Sequence, residues 1–225
     1  RFRFDAAGIP SAAGGAIVIA GSFTVGATVV IPPRCSLLTI RSLPGCTLYP
    51  DAADQGVLFT LQASRVTIRD LFVFYKTTAG APSGWFNTFV QAENGDPVDG
   101  VQIDPNACRI LGNVAFADRL YVDASADQAD GTLIADNECI EANGTHAASA
   151  YLDSARMICR GNKLPDGGGD SVTVGPNAQY CRVVQNDLGL GDVTSSASLG
   201  SNVIAENVRT GTLALHATDS AGLNT

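Results

Sequence analysis

Lysine is almost missing from this chain, Lys76 and Lys163 being the only two in 225 residues. Together with twelve arginines they face 22 acids, for a net charge of -8. No broad positive field gathers phosphate backbones, so nucleic acid is not an expected partner. Histidine is as rare, at two residues, which excludes a His-rich metal site. Long apolar runs are also missing. The longest, "AIVIAGSFTVGATVVI" from Ala16 to Ile31, is shorter than the roughly 20 residues that cross a bilayer and is broken by Gly, Ser and Thr. It reads as strand, turn, strand, and membrane insertion is not expected. No signal peptide is visible. The chain starts at Arg1 without Met, as expected of a processed product or an excised piece.

Familiar catalytic signatures are absent as well. There is no GxSxG elbow, Walker loop, GxGxxG or HExxH, and no cofactor and no metal are expected. The six cysteines (35, 46, 108, 139, 159 and 181) form no CxxC or Cys/His cluster. Buried free thiols are the favoured reading over disulfides, because a chain of this length does not need stapling.

What is present is an apolar fraction of 45% resting on Val, Ile, Leu and Ala, with 24 glycines, the profile of many short strands joined by tight turns. The same short phrase recurs: "CRILGNVAF" from Cys108, "TLIADNECIE" from Thr132, "CRVVQNDLGLG" from Cys181 and "NVIAENVRTG" from Asn202. Aligned on Asn113, Asn137, Asn162, Asn186 and Asn207, the spacings are 24, 25, 24 and 21 residues. A period of that size without helical periodicity predicts a solenoid of short strands.

Three residues before each Asn stand Ile110, Ile134, Cys159, Val183 and Ile204, and five before stand Cys108, Thr132, Met157, Cys181 and Asn202. Alternate positions face one side of a strand, so both sets are predicted to form interior columns. The asparagines are assigned two structural roles: tolerating a tight or left-handed corner, and hydrogen-bonding amide to amide between turns. Just after them Glu138, Lys163 and Asp187 should stack with alternating sign. The row two before each Asn, Leu111, Ala135, Arg160, Val184 and Ala205, should point outward yet is mostly apolar. Either a neighbouring coil covers it, or a loop or a surface of small residues accounts for it. Upstream, "LLTIRSLPG" and "VTIRDLFVF" continue the pattern, with Leu43 and Leu71 in the Asn position.

The stretches "GGAIVIAGSFTVGATVVIPPRCSLLTIRS" and "GVLFTLQASRVTIRDLFVF" resemble the opening turns of right-handed parallel β-helix proteins of the pectate-lyase-like class, which includes many bacteriophage tailspikes. The resemblance covers about residues 10 to 74 well and 108 to 210 more loosely. It implies an all-β, right-handed parallel β-helix, here one domain over 1–225 with about nine turns. Residues 1–36 form the N-terminal cap and first turns, 75–107 an irregular turn or loop excursion, and 212–225 a last turn or exit segment. The class carries lyases, hydrolases, epimerases and pure binding modules, so the fold leaves the activity open.

Three functions remain in view. The first is a virion attachment module (tail fibre, tailspike or head spike) that recognises cell-surface polysaccharide. The resemblance implies a homotrimer at a virion surface or in the extracellular space, in contact with other virion proteins. The second is a polysaccharide lyase or hydrolase, with Asp136, Glu138, Asp166 and Asp170 as candidate acids on adjacent turns. The paired Asp, Gly-His-Gly and Arg-Ile-Lys implied by polygalacturonases of this class are absent, and His146 reads as a structural or exposed residue. The third is a β-helical spacer without a ligand. Candidate sugar contacts are Tyr75, Trp85 and Phe86 through their rings, with packing favoured for them, and Arg160, which with Arg109 and Arg182 could neutralise a sugar carboxylate but as a solvated strand-face residue needs no function.

Overall fold

A computed structural model describes residues 14–51, 55–78, 81–125, 128–140, 148–164, 170–197, 202–209, 212–213 and 217–219. Strands dominate. The only helical segment among these residues is the single 3-10 turn Pro33–Cys35.

The strands lie in three parallel sheets that the chain visits in rotation. Sheet I stacks, in sequence order, Gly15–Ile19, Leu38–Ser42, Thr67–Arg69, Arg109–Leu111, Leu133–Ala135, Ile158–Arg160, Arg182–Val184 and Val203–Ala205. Sheet II takes Phe23–Val25, Leu48–Pro50, Phe72–Val73 and Glu138–Ile140, and continues through bridges at Lys163, Asp187 and Val208. Sheet III holds Val29–Ile31, Gln55–Leu61, Phe86–Ala92, Ala148–Leu152, Asp170–Val174, Asp192–Ser195 and Ala217–Asp219. The ten-residue strand Val114–Asp123 begins in sheet II and ends in sheet III, joining the two. The chain is a parallel β-helix.

Among the described residues eight strands stack in sheet I, which gives eight rungs there. The stretch 75–107 holds a single rung strand, Phe86–Ala92, in register with Gln55–Leu61 above and Val114–Asp123 below. Two insertions flank it: an antiparallel hairpin, Lys76–Thr78 with Ala81–Gly84, and a loop over residues 93–106. At about 4.8 Å per rung the column is roughly 34 Å tall.

Register places like above like. In sheet I one interior column reads Ile17, Ile40, Ile68, Ile110, Ile134, Cys159, Val183, Ile204. In sheet III the corresponding interior column is Phe59, Val90, Tyr121, Ala150, Val172, Val193. Both of the columns read from the sequence before each Asn are therefore interior, and Cys108, Thr132, Met157, Cys181 and Asn202 are buried.

The corner from sheet I into sheet II holds the register. Each asparagine amide nitrogen donates to the Oδ1 of the Asn one rung below: Asn113 to Asn137 at 2.8 Å, Asn137 to Asn162 at 2.9 Å, Asn162 to Asn186 at 2.9 Å and Asn186 to Asn207 at 3.0 Å. The same Oδ1 accepts the backbone N–H of the upper Asn at 3.0 Å in all four steps. The second amide proton reaches back to a strand carbonyl of the rung above, as from Asn162 to Ile134 at 3.0 Å. Leu71 ends the ladder at the top, its N–H donating to Asn113 Oδ1 at 3.0 Å.

One expectation is corrected here. The left-handed residue is not the asparagine but the one before it: Gly112, Asp136, Gly161, Gln185 and Glu206 all have φ between 56° and 62°. The reason is geometric. The left-handed residue turns the chain by itself, which frees the Asn to point inward and serve the ladder. At Gly161 a Cβ would sit 2.7 Å from Asp136 Oδ1, so the carboxylate above occupies the space a side chain would need. A second left-handed column, Leu37, Arg65, Ala107, Gly131, Arg156 and Tyr180, marks the corner leading into sheet I.

Removing a mid-ladder amide leaves buried donors of the rung above unpaired, so Asn162→Ala should cost more than about 3 kcal/mol. Ile134→Ala opens a cavity in the column and should cost about 2–5 kcal/mol. Urea denaturation followed by circular dichroism measures both. An Asn162→Ala protein as stable as the parent would mean that the amides decorate the corner and do not hold it.

Candidate functional site

Short strands bounded by left-handed corners show two residues outward and one inward. In sheet I, from the third rung on, the first outward row reads Thr67, Arg109, Leu133, Ile158, Arg182, Val203. The second reads Arg69, Leu111, Ala135, Arg160, Val184, Ala205; from Leu111 onward this is the row the sequence predicted to point outward, although Ala135 within it is fully buried. Over the last four rungs this face forms an open groove of about 410 Å³. Leu133, Ile158, Val184 and Val203 make its floor, with Arg160 and Arg182 exposed beside them. Along one rim the Gln185 amide donates to Glu206 at 2.8 Å. Arg160 and Arg182 are diagonal neighbours on successive rungs, which sets them about 7–8 Å apart. Among the described residues neither has a carboxylate partner.

The aromatic candidates lie elsewhere, where sheet II meets sheet III. Phe86 is fully buried and contributes its ring to the core, so it has no face to offer a sugar, and its assignment as a ligand contact is corrected. The alternation that turns its neighbour Trp85 outward turns Phe86 inward. Tyr75 is engaged on both sides, its ring centre 4.0 Å from that of Phe74 and 4.5 Å from that of Phe116. The Trp85 indole donates to Asp118 at 3.2 Å. Tyr75 and Trp85 thus seal the hairpin end of the strand Phe86–Ala92.

Among the described residues the acidic candidates do not converge. Asp136 occupies a left-handed corner, and Glu138 stands two residues on in sheet II, where it meets Lys163 at 2.6 Å. Glu138, Lys163 and Asp187 are bridged rung to rung, forming the expected charge ladder. Beside Glu138 the Lys163 ammonium is held above its usual range, chiefly by their hydrogen bond. Asp166 and His146 lie outside the described residues. Asp170 is in sheet III, and the structure gives it a partner that sequence reading missed: Asp192, paired with it on the next rung. Asp170 also accepts the Thr194 hydroxyl at 2.7 Å. The signal was present in "GDSVTV" and "GDVTSS", the two phrases that carry these residues.

Buried carboxylates elsewhere are structural. Asp123 accepts the backbone N–H of Ser125 at 3.1 Å and of Asp153 at 3.2 Å, and the Ser154 hydroxyl at 2.6 Å. Asp153 accepts from the backbone and side-chain nitrogens of Asn177 at 2.9 and 3.0 Å. Both hold the corner into sheet I as the asparagines hold the other. Among the described residues no group of three or more His, Cys, Asp or Glu is placed to hold a metal ion.

With the coil and its groove in place, likeness to known proteins adds little. No family model and no curated protein matches the sequence. Among solved structures, the A-module of a mannuronan C-5 epimerase from Azotobacter vinelandii is 10% identical over 94% of this chain and 91% of that one, with a TM-score of 0.32. Full-length tailspike protein 2 of Escherichia coli O157:H7 bacteriophage CAB120 is 9% identical over 87% of this chain, with a TM-score of 0.30. This chain matches 35% of that tailspike's length. Both likenesses are weak, and the assignment of the coil rests on strand register.

All six cysteines are free. Burial pushes the thiols of Cys108 and Cys159 up to about 12 and that of Cys181 to about 11, which makes them poor nucleophiles. In the unfolded chain they ionise near 9, so above that pH unfolding releases protons that the fold retains. Stability contributed by these thiols is therefore complete below pH 9 and is lost as pH rises toward 12. Native protein treated with iodoacetamide should leave Cys108, Cys139, Cys159 and Cys181 unmodified until denaturant is added. Rapid labelling of Cys159 in the folded state would contradict its burial.

Proposed function

We propose that this chain is a polysaccharide-binding attachment module displayed at a virion surface, part of a tail fibre, tailspike or head spike, that works by binding without cleaving. The observation that carries this reading is the groove of sheet I, where two arginines flank an aliphatic floor and no acid projects from the strands. Such a surface offers charge and apolar contact to a glycan, and the acid that lines it, Glu206, accepts the Gln185 amide at 2.8 Å. Stacked rungs supply the rigidity that presents a ligand surface without ordering cost on binding.

In this reading the module is a homotrimer in contact with other virion proteins. Three copies meeting through sheet I would bring arginine rows together, so trimer contacts fall to the other faces and the groove stays open. A spacer differs from this reading only in lacking a ligand. Light scattering should give about three times the chain mass of 23.2 kDa, and an array of bacterial surface glycans should show binding. A monomer at micromolar concentration that binds nothing on the array would overturn the proposal.

A second reading draws on Asp170 and Asp192. Carboxylates on adjacent rungs are about 5 Å apart in the stacking direction, within the range used by retaining glycosidases. Under this reading Asp170→Asn and Asp192→Asn each abolish release of reducing ends from a polysaccharide substrate. Absence of any product with the parent protein removes it.

A further inference from the structure

We propose that Asn94 is a self-modifying site, whose side-chain amide is lost to attack by the Gly95 backbone nitrogen, and that the product loosens the loop over residues 93–106 from the turn Pro33–Cys35. The inference is independent of the attachment reading.

The first observation is which asparagine the fold leaves unguarded. An asparagine deamidates when the next backbone nitrogen closes a five-membered imide on its Cγ, and glycine, without a Cβ, hinders that closure least. Asn94 is exposed, and among the described residues no hydrogen bond holds its amide. The Gly95 N–H likewise has no acceptor among them. The ladder asparagines are the opposite case. All five are buried, their amides donate to strand carbonyls at Ile68, Ile110, Ile134, Cys159 and Val183, and residues with side chains follow them.

The reaction needs only water and hydroxide. Hydroxide removes the Gly95 amide proton, the nitrogen bonds to Asn94 Cγ, and the Cγ–Nδ2 bond breaks with release of ammonia. Water then opens the imide at either carbonyl. Opening at Cγ leaves aspartate, whereas opening at the backbone carbonyl leaves isoaspartate, with one extra methylene carried in the main chain. Either product lowers the net charge by one, from -8 to -9.

The second observation is that residue 94 sits between two fixed points. The Glu93 N–H donates to Leu61 O at 3.0 Å, and its carboxylate accepts the Gln62 and Gln91 amides at 3.1 and 2.9 Å. Gly95 is wedged: a Cβ there would lie 2.5 Å from Pro33 Cγ and 2.9 Å from Gln62 Cβ. A methylene added between these points forces Gly95 off Pro33. Further along the loop Asp99 pairs with Arg34 at 3.3 Å, an exposed contact that holds the turn only weakly. Loss of the wedge therefore frees the turn that carries Cys35, a half-buried thiol.

The test ages the whole chain in mildly alkaline buffer and maps its peptides by mass spectrometry, which separates Asn94 from the other Asn-Gly pair, Asn143–Gly144, outside the described residues. A sample kept in urea is the reference. Asn94 should convert to aspartate and isoaspartate in the folded chain, faster as pH rises, while the ladder asparagines stay intact until urea is added. The isoaspartate fraction, separated by ion exchange, should react at Cys35 with iodoacetamide several-fold faster than fresh protein. Asn94→Gln, whose imide ring would have six members, should show neither change. Conversion in urea but not in the folded chain would overturn the site, and so would equal conversion of folded Asn94 and the ladder. Conversion with unchanged Cys35 labelling would overturn the loosening.

Discussion

Everything in this coil depends on inward-pointing amides that cannot be left unpaired. A solenoid must turn sharply at each corner, and a sharp turn strips backbone groups of their strand partners in a place that water does not reach. The asparagine ladder answers this by letting each side chain serve the backbone of one rung and the amide of the next. Because Oδ1 accepts both the N–H and the amide of its upper neighbour, the separation of rungs is fixed as well as their order. The aliphatic columns supply the apolar burial, but they would tolerate sliding. The amides would not, since a shift by one residue exchanges a buried Asn for its left-handed neighbour.

The parts of this architecture that were legible in the sequence are those in which the same chemistry returns at a constant distance. Ile110, Ile134, Val183 and Ile204 could be aligned by eye, and so could the asparagines. The left-handed position was not legible: Gly112, Asp136, Gly161, Gln185 and Glu206 share a conformation without sharing a chemistry. The rung strand Phe86–Ala92 was hidden by an insertion on either side, which made a regular turn look like an excursion. The pairing of Asp170 with Asp192 escaped notice because an irregularity at Ser171 sets the two strands out of step. Arg109, Arg160 and Arg182 were legible as strand-face arginines, and register added Arg41 and Arg69 to the same sheet.

A division of labour between the three faces follows. Sheet I has short strands and tight corners on both sides, and no hairpin or other strand of the described residues crosses its outer surface. The junction of sheets II and III carries the hairpin and the aromatic residues, and its side chains are spent on covering the coil. On the proposed attachment reading the ligand meets the plainest face, and the most ornamented face is the one with the least to offer a sugar.

The placement of the hairpin has one more consequence. It leaves the coil between Val73 and Phe86, on the side away from the amide ladder, and the rungs above and below meet as though it were not there. Length is thus uncoupled from alignment at that corner. A foreign loop spliced in between the two hairpin strands would inherit a rigid mount at a known height, which makes this site a natural socket for grafted epitopes or affinity tags.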